Sequence, residues 1–336
     1  MTYGLSIKRA EVGDPVIDMA ERALYSFTAA AVPGIFWVDY LPILKYVPSW
    51  FPGASFKRKA RDWAKDADGM LNGPYDTVKA NQSKGIVQPS FVSYCLGNIQ
   101  STTDKEELMC EEEVVREAAG AIFLAGTDTT VVALNTFILA MVCHPEVQRR
   151  AQEEIDSVVG PGRLPDFEDR ENLPYIQAIV YEVMRYQPVT PLAMAHLATE
   201  EDEYKGYRIP KDSVVIGNTW ALLHDEETYG SHPETFNPNR FLTPEGKLNP
   251  AIPEPISFFG FGRRICPGRH LALSTLFAGI ASVLHSFDLS EMGTLSLEYE
   301  SCLQNRPVPF KCSIKPRSPQ HAELIQSAVQ FTIIDE

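Results

Sequence analysis

Residues 259–268 read Phe-Gly-Phe-Gly-Arg-Arg-Ile-Cys-Pro-Gly, and the rest of the chain becomes legible from this stretch outward. One cysteine, Cys266, sits among Gly260, Gly262 and Gly268, with Arg263 and Arg264 before it and Pro267 after it. A helical pattern over residues 269–287 follows at once. Glycines let backbone approach a bound group closely and reach φ > 0. A guanidinium such as Arg264 can fork onto a carboxylate. Proline is at home in the first turn of a helix, so Pro267 can open the one that follows. Each residue type suits a cysteine ligand to a flat, anionic, metal-bearing cofactor. The bland alternative is a free cysteine in a glycine-rich turn, and the partners found elsewhere in the chain argue against it.

The chain has 336 residues, of which 44% are hydrophobic, enough for a large core. No linker is visible, so 1–336 reads as a single domain. A net charge of −14 and a pI near 5.0 argue against a nucleic-acid partner, which needs a basic stripe. The six cysteines are widely spaced with no C-x-x-C pair, which points to a reducing compartment. Cys95, Cys110, Cys143, Cys302 and Cys312 read as small buried hydrophobes. The N-terminus lacks the basic-then-apolar pattern of a signal peptide. No uninterrupted apolar run reaches the roughly 20 residues of a membrane span; the nearest, 27–38, contains Pro33.

Residues 14–30, 55–84, 107–143, 145–159 and 173–186 carry helical periodicity, and 90–98 and 217–223 read as short helices. Residues 189–213 turn short and strand-like, with a turn at Lys205 and Gly206. In the tail, 310–314 and 329–334 alternate and read as strands. The segment 31–53 is apolar and aromatic and is broken by four prolines, so it cannot be one helix. It is either a core connection or a loop that dips into a bilayer surface. The cations at the start of 55–84 (Lys57, Arg58, Lys59, Arg61, Lys65) read as a solvated face. The stretch 107–143 is the longest pattern, about 50 Å at 1.5 Å per residue, and from Ala118 onward it is apolar nearly all round, as a central core helix would be.

In the middle of that helix lies Ala125-Gly-Thr-Asp-Thr-Thr130, a set of poor helix formers around one charge. A threonine hydroxyl can bond back one turn, and a buried aspartate needs a partner or water. The cluster is either a helix kink with satisfied polar groups or an oxygen-binding groove. Further on, Glu182 and Arg185 stand three apart on one helix face and can pair. Phe236-Asn-Pro-Asn-Arg-Phe241 supplies a further arginine, Arg240, and Pro191-Leu-Ala-Met-Ala-His196 a lone histidine.

In order and wording these stretches resemble the cytochrome P450 family. Phe259, Gly262, Arg264, Cys266 and Gly268 match its haem-ligand loop F-x-x-G-x-R-x-C-x-G. Residues 125–130 match its (A/G)-G-x-(D/E)-T-(T/S) signature, Glu182 and Arg185 its E-x-x-R, and Arg240 the arginine of its P-x-R-F. The phrasing around 165–174 and 232–234 is similar to fungal microsomal members. The resemblance implies a mainly α fold with small β-sheets, a cytochrome P450 fold lacking its N-terminal portion. It implies haem b (iron protoporphyrin IX) with Cys266 as the axial ligand of the iron, and Arg264 and His196 as propionate partners. Phe259 and Gly268 shape the loop, and Gly126 leaves room for O2. Thr129 hydrogen-bonds the oxygen being activated, and Asp128 helps relay protons. Glu182, Arg185 and Arg240 form a structural triad, and 189–195 line the substrate pocket.

By the same resemblance the protein is a monooxygenase that inserts one atom of O2 into a small apolar organic substrate, in a setting of secondary metabolism. Its electrons come from NADPH-cytochrome P450 reductase, docked on Arg263, Arg264, Arg269 and His270. The site of action is the cytosolic face of the endoplasmic reticulum membrane, with surface contact through 31–53 and no transmembrane anchor in this chain. The sequence departs from the family pattern at the front. The central helix arrives early, and none of Trp37, Trp50, Trp63 and Trp220 has the arginine four residues later that the family's W-x-x-x-R places on a propionate. Two alternatives therefore stay open: a truncated, inactive remnant with weak or no haem binding, and a haem-thiolate isomerase or peroxide-using enzyme.

Overall fold

A computed structural model of the chain describes residues 1–6, 13–32, 34–99, 105–300 and 303–334. Cys302 and Pro33 lie outside the described residues. Two compact units, Met1–Asp128 and Thr129–Glu336, share one continuous helix.

In the first unit, α1 (Pro15–Ala31) starts where the Asp14 carboxylate accepts from the Val16 and Ile17 N–H groups, satisfying donors that a helix start leaves free. It packs on α3 (Ser55–Ser83), where Gly69 takes the Met19 sulfur so closely that a β-carbon would meet it at 3.3 Å. Between them lie a short α2 (Trp37–Tyr40) and a 3-10 turn at Pro42–Tyr46. The apolar side chains of this connection face outward: Trp37, Ile43, Tyr46 and Trp50 are 73–77% exposed. The core-connection reading of 31–53 therefore does not hold. Arg58 and Arg61 from α3 donate to the Ser49 carbonyl and hydroxyl, so part of the basic face holds this loop rather than only water. Helix α4 (Phe91–Ile99) closes a small core of Tyr3, Tyr75, Val78, Val92, Leu96, Val115 and Ala119.

Helix α5 (Lys105–Cys143) matches the expected long element, and acidic Glu106 and Glu107 suit its first turn. Its burial differs from expectation. Val132, Ala133, Thr136, Phe137 and Leu139–Val142 are buried, but Ala121, Ile122, Ala125, Gly126 and Val131 are exposed. The apolar circumference seen in the sequence is thus used on one side around Ala119 and more fully only along the last third. Among the described residues this is also the one helix long and apolar enough, by length and composition, to cross a membrane, although Asp128 interrupts its apolar run. A soluble core helix passes the same test, so the feature is weak.

In the second unit the most buried element is α7 (Pro174–Tyr186), where every side chain from Tyr175 to Arg185 is buried. It packs with α6 (Pro145–Val158) and α10 (Arg269–Ser286) around Phe137, Ile176, Ile179, Phe277, Ile280 and Leu284. No side chain of its own caps α7. The Glu154 carboxylate from α6 does so, accepting from the Tyr175 and Ile176 N–H groups at 2.9 and 3.1 Å. Four small antiparallel pairs complete the unit. They are β1 (His196–Leu197) with β4 (Val214–Val215), β2 (Asp202–Tyr204) with β3 (Tyr207–Ile209), β5 (Phe287–Glu291) with β8 (Cys312–Pro316), and β6 (Tyr299–Glu300) with β7 (Arg306–Pro307). Gln148 of α6 acts as a further strand neighbour to β5: its amide donates to the Leu289 carbonyl at 2.9 Å and accepts from the Leu289 N–H at 2.7 Å. Short α8 (Thr219–Leu223) and α9 (Glu226–Tyr229) precede the proline-rich coil. The tail corrects the sequence reading: 329–334 is the end of α11 (Pro319–Ile334), not a strand. Period-two alternation over six residues cannot exclude a helix when no turn residue bounds it. Cys110 is exposed, and Cys95, Cys143 and Cys312 are half-buried rather than fully enclosed.

The turn before α7 carries a pH-dependent clasp. Arg163 donates to both oxygens of the buried Asp169 at 2.7 and 2.6 Å, and these bonds hold the Asp169 carboxyl below the usual carboxylate range. A depressed folded pKa means that the clasp stabilises fully above the unfolded value, about 4, and is lost as pH falls through the folded one. Thermal melts of the protein and of Asp169→Asn are expected to differ at pH 7 and to converge toward pH 3. A constant gap would contradict this.

Candidate active site

The ligand-loop stretch folds as two tight 3-10 turns, Ile256–Phe259 and Gly262–Arg264, with Gly260 at φ 84° and Gly262 at φ 56°. Those backbone conformations favour glycine. The Cys266 N–H donates to the Phe259 carbonyl at 2.8 Å and ties the ends of the loop together. Helix α10 begins at Arg269 with Gly268 as its N-cap, so Pro267 stands just outside the helix rather than in its first turn. Phe259 is buried and meets Phe258 edge to face at 5.0 Å, which anchors the loop in the core.

Cys266 borders a cleft of about 230 Å³. One wall is α5, with Thr129, Thr130 and Ala133. A second is Val189–His196, from the segment after α7. A third is Ala272 and Leu276 of α10, and the loop itself gives Phe259, Phe261 and Arg264. The sequence expectation thus brings Cys266, Arg264, His196, Phe259 and Thr129 to one cavity. Gly126 and Asp128 lie on the same helix, in the first unit; Asp128 is half-buried, and a β-carbon on Gly126 would meet nothing within 4 Å. Thr127 bonds back to the Phe123 carbonyl at 2.6 Å, and α5 runs through the polar cluster unbroken. Gly268 lies beside the sulfur, where a β-carbon would stand 3.7 Å from Cys266 Sγ.

Phe261, Ala272 and Leu276 were not anticipated. The i, i+4 spacing of 272 and 276, one turn into the helix after Cys266, was a usable signal. Nothing in the sequence marked Phe261.

The donor set constrains what the cleft can hold. Among the described residues no three His, Cys, Asp or Glu side chains come together as a metal cage. A metal on Cys266 would therefore bring its remaining ligands with it. The walls are mostly apolar, with the cationic Arg264 and the imidazole of His196 at their edge. An apolar slot with one sulfur ligand and cationic groups at the margin fits a flat metallo-macrocycle with acidic substituents, and haem fits that description. Arg264 and His196 would hold its carboxylates and Cys266 its iron.

At the C-terminal end of α7 lies a buried charge cluster. The Glu182 carboxylate accepts from Arg185 Nε and Nη2 at 2.8 and 2.9 Å, and from Arg240 Nε at 3.1 and 3.2 Å. It also accepts the Asn237 N–H at 2.7 Å. The other guanidinium donors reach the carbonyls of Leu223, Thr235 and Tyr229. The Glu182 and Arg185 side chains are wholly buried and that of Arg240 is 6% exposed. The cluster therefore stitches α7 to the coil at 223–240 and touches no cleft residue.

A family model described as Cytochrome P450 matches residues 18–311. Cytochrome P450 monooxygenase 98 of Postia placenta is 43% identical over 99% of this chain and 64% of its own length. A cytochrome P450 monooxygenase of Armillaria gallica is 44% identical over 96% of this chain and 63% of its own length. Tryptamine 4-monooxygenase of Psilocybe cyanescens is 40% identical over 95% of this chain and 64% of its own length. The chain thus spans a little under two thirds of the length of these curated relatives.

Proposed function

The chain belongs to the cytochrome P450 family, and on that premise we propose that it acts as a haem-thiolate monooxygenase, with 1–336 forming one domain. The observation that carries the reading is the convergence of Cys266, Arg264, His196 and Thr129 on one apolar cleft. Haem b, when bound, supplies the activation of O2 and the electron transfer that side chains cannot. The protein's own groups do the rest. Cys266 Sγ would hold the iron, Arg264 and His196 would hydrogen-bond the two propionates, and the apolar walls exclude water. Phe259 and Gly268 shape the loop around the sulfur, and Gly126 leaves room for O2. The Thr129 hydroxyl would present a proton to O2 held in the cleft, and Asp128, one residue earlier on α5, would relay protons to it. The substrate is a small apolar organic molecule held against Val189–His196, in secondary metabolism. Electrons come from NADPH-cytochrome P450 reductase, attracted by Arg263, Arg264, Arg269 and His270.

The test is reconstitution. The full chain is loaded with haem, given the reductase and NADPH, and offered a panel of apolar substrates. NADPH-dependent product carrying one oxygen atom from O2 is expected. Haem uptake without reductase-dependent turnover would instead favour a peroxide-using or isomerase chemistry, and no uptake an inactive remnant.

The same reading puts the protein at the cytosolic face of the endoplasmic reticulum membrane. Trp37 and Trp50, 75% and 77% exposed, suit a bilayer interface. Changing both to serine is expected to reduce sedimentation with phosphatidylcholine vesicles severalfold. Equal sedimentation of both proteins would contradict surface contact through 31–53.

A further inference from the structure

We propose that Gly217 is a positioning residue for the Cys266 loop, acting through the ring of Phe261; the inference rests on the haem-thiolate reading of the cleft. A β-carbon at position 217 would stand 2.4 Å from Phe261 Cε2, 3.0 Å from Cδ2 and 3.2 Å from Cζ. A contact of 2.4 Å is one that β-carbons essentially never make, so one side would have to move. The backbone of Gly217 is not in the left-handed region, so the residue is glycine here for space and not for φ. The absent side chain forms a seat in which the Phe261 ring lies against the main chain.

Phe261 lies between Gly260 and Gly262, the two positive-φ positions of the loop, where the backbone on either side has little stiffness of its own. Its ring is the loop's outward anchor, as the buried Phe259 is its inward one. The neighbourhood of Gly217 is itself firmly held. The Trp220 N–H donates to the Pro191 carbonyl at 2.8 Å, and the buried Thr219 hydroxyl donates to the Ser257 carbonyl at 3.4 Å. The corner between β4 and α8 is thus tied both to the cleft wall at 191 and to the turn that leads into the ligand loop. With that corner fixed, a methyl group at 217 would displace the ring rather than the backbone. Phe261 lines the cleft beside Cys266, so a displaced ring either narrows the cleft or opens the loop to water. Both outcomes change how the sulfur is presented.

The test is a double-mutant cycle on the full chain: the protein itself, Gly217→Ala, Phe261→Ala, and the two changes together. Two quantities are read in each. One is the affinity for haem, from quenching of tryptophan fluorescence. The other needs no haem: the rate at which iodoacetamide alkylates Cys266, followed by peptide mass spectrometry. Gly217→Ala is expected to weaken haem binding about tenfold and to change the alkylation rate severalfold when Phe261 is present. With alanine at 261 the same change should have an effect within about twofold. An equal effect in both backgrounds, or none in either, would overturn the proposal. If Gly217→Ala does not fold but the double variant does, the clash with the ring is demonstrated; if neither folds, glycine is needed for another reason and the proposal fails. Should the unaltered protein take up no haem, the proposed function fails, while the alkylation cycle still decides the role of Gly217.

Discussion

Replacing Glu182 with alanine is expected to destabilise the second unit by about 3–5 kcal/mol. The carboxylate receives N–H groups from Arg185, Arg240 and Asn237, and two of those donors are guanidinium groups, that of Arg185 wholly buried and that of Arg240 6% exposed. Its removal leaves two positive charges side by side with no anion, in a region where water cannot take its place. Their remaining donors are already committed to the carbonyls of Leu223, Thr235 and Tyr229, so the charges cannot turn toward solvent without breaking the coil at 223–240. An exposed pair gives the scale for comparison. Arg149 and Glu153 form an i, i+4 salt bridge with side chains 68% and 61% exposed, and Arg149→Ala should cost only a few tenths of a kcal/mol. Urea unfolding followed by tryptophan fluorescence reads both, as shifts in midpoint at unchanged slope. A loss for Glu182→Ala no larger than that for Arg149→Ala would show that the cluster is not the stitch described.

Thr129→Ala is expected to cut product formation about a hundredfold while leaving haem content and fold unchanged. Thr129 lines the cleft from α5, in the same cavity as Cys266. In the proposed chemistry its role is to present and pass on a proton, so deletion of the hydroxyl affects turnover and not cofactor retention. Thr129→Ser keeps the hydroxyl and loses only a methyl group, and should retain most activity. Equal loss in the alanine and serine variants would assign Thr129 to packing. Increased NADPH oxidation without product in the alanine variant would support the proton role, since electrons would then be spent without oxygen insertion.

What the sequence disclosed, and what it hid, follows from the range of each interaction. The ligand loop was legible because its requirements are local: glycine where φ is positive, cysteine between arginine and proline. The Glu182–Arg185 pair was legible from its i, i+3 spacing, but its complete burial was not, since an isolated E-x-x-R gives no sign of what covers it. The membership of Arg240 came from family resemblance rather than from spacing. Gln148 and Glu154 were invisible, because on an amphipathic helix they look like solvated polar residues. Only the fold brings β5 and the start of α7 against them. Gly217 was hidden for the same reason: its neighbour Phe261 is 44 positions away in the chain. The central helix was overread. An apolar circumference was taken as full burial, but the helix is covered on one side near Ala119 and again from Val132 onward, with Ala121, Ile122, Ala125, Gly126 and Val131 exposed. The alternation at 329–334 misled because six residues are too few to separate the two periods.

In the proposed function Cys266 is the thiolate ligand of a haem iron. The absorption spectrum of the full chain loaded with haem, reduced, and treated with carbon monoxide tests that role directly. A strongly red-shifted Soret band of the thiolate-ligated kind is expected, and Cys266→His should replace it with a band of the imidazole-ligated kind. A haem-loaded protein with an imidazole-type band from the outset, or a spectrum unmoved by the change at Cys266, would contradict it.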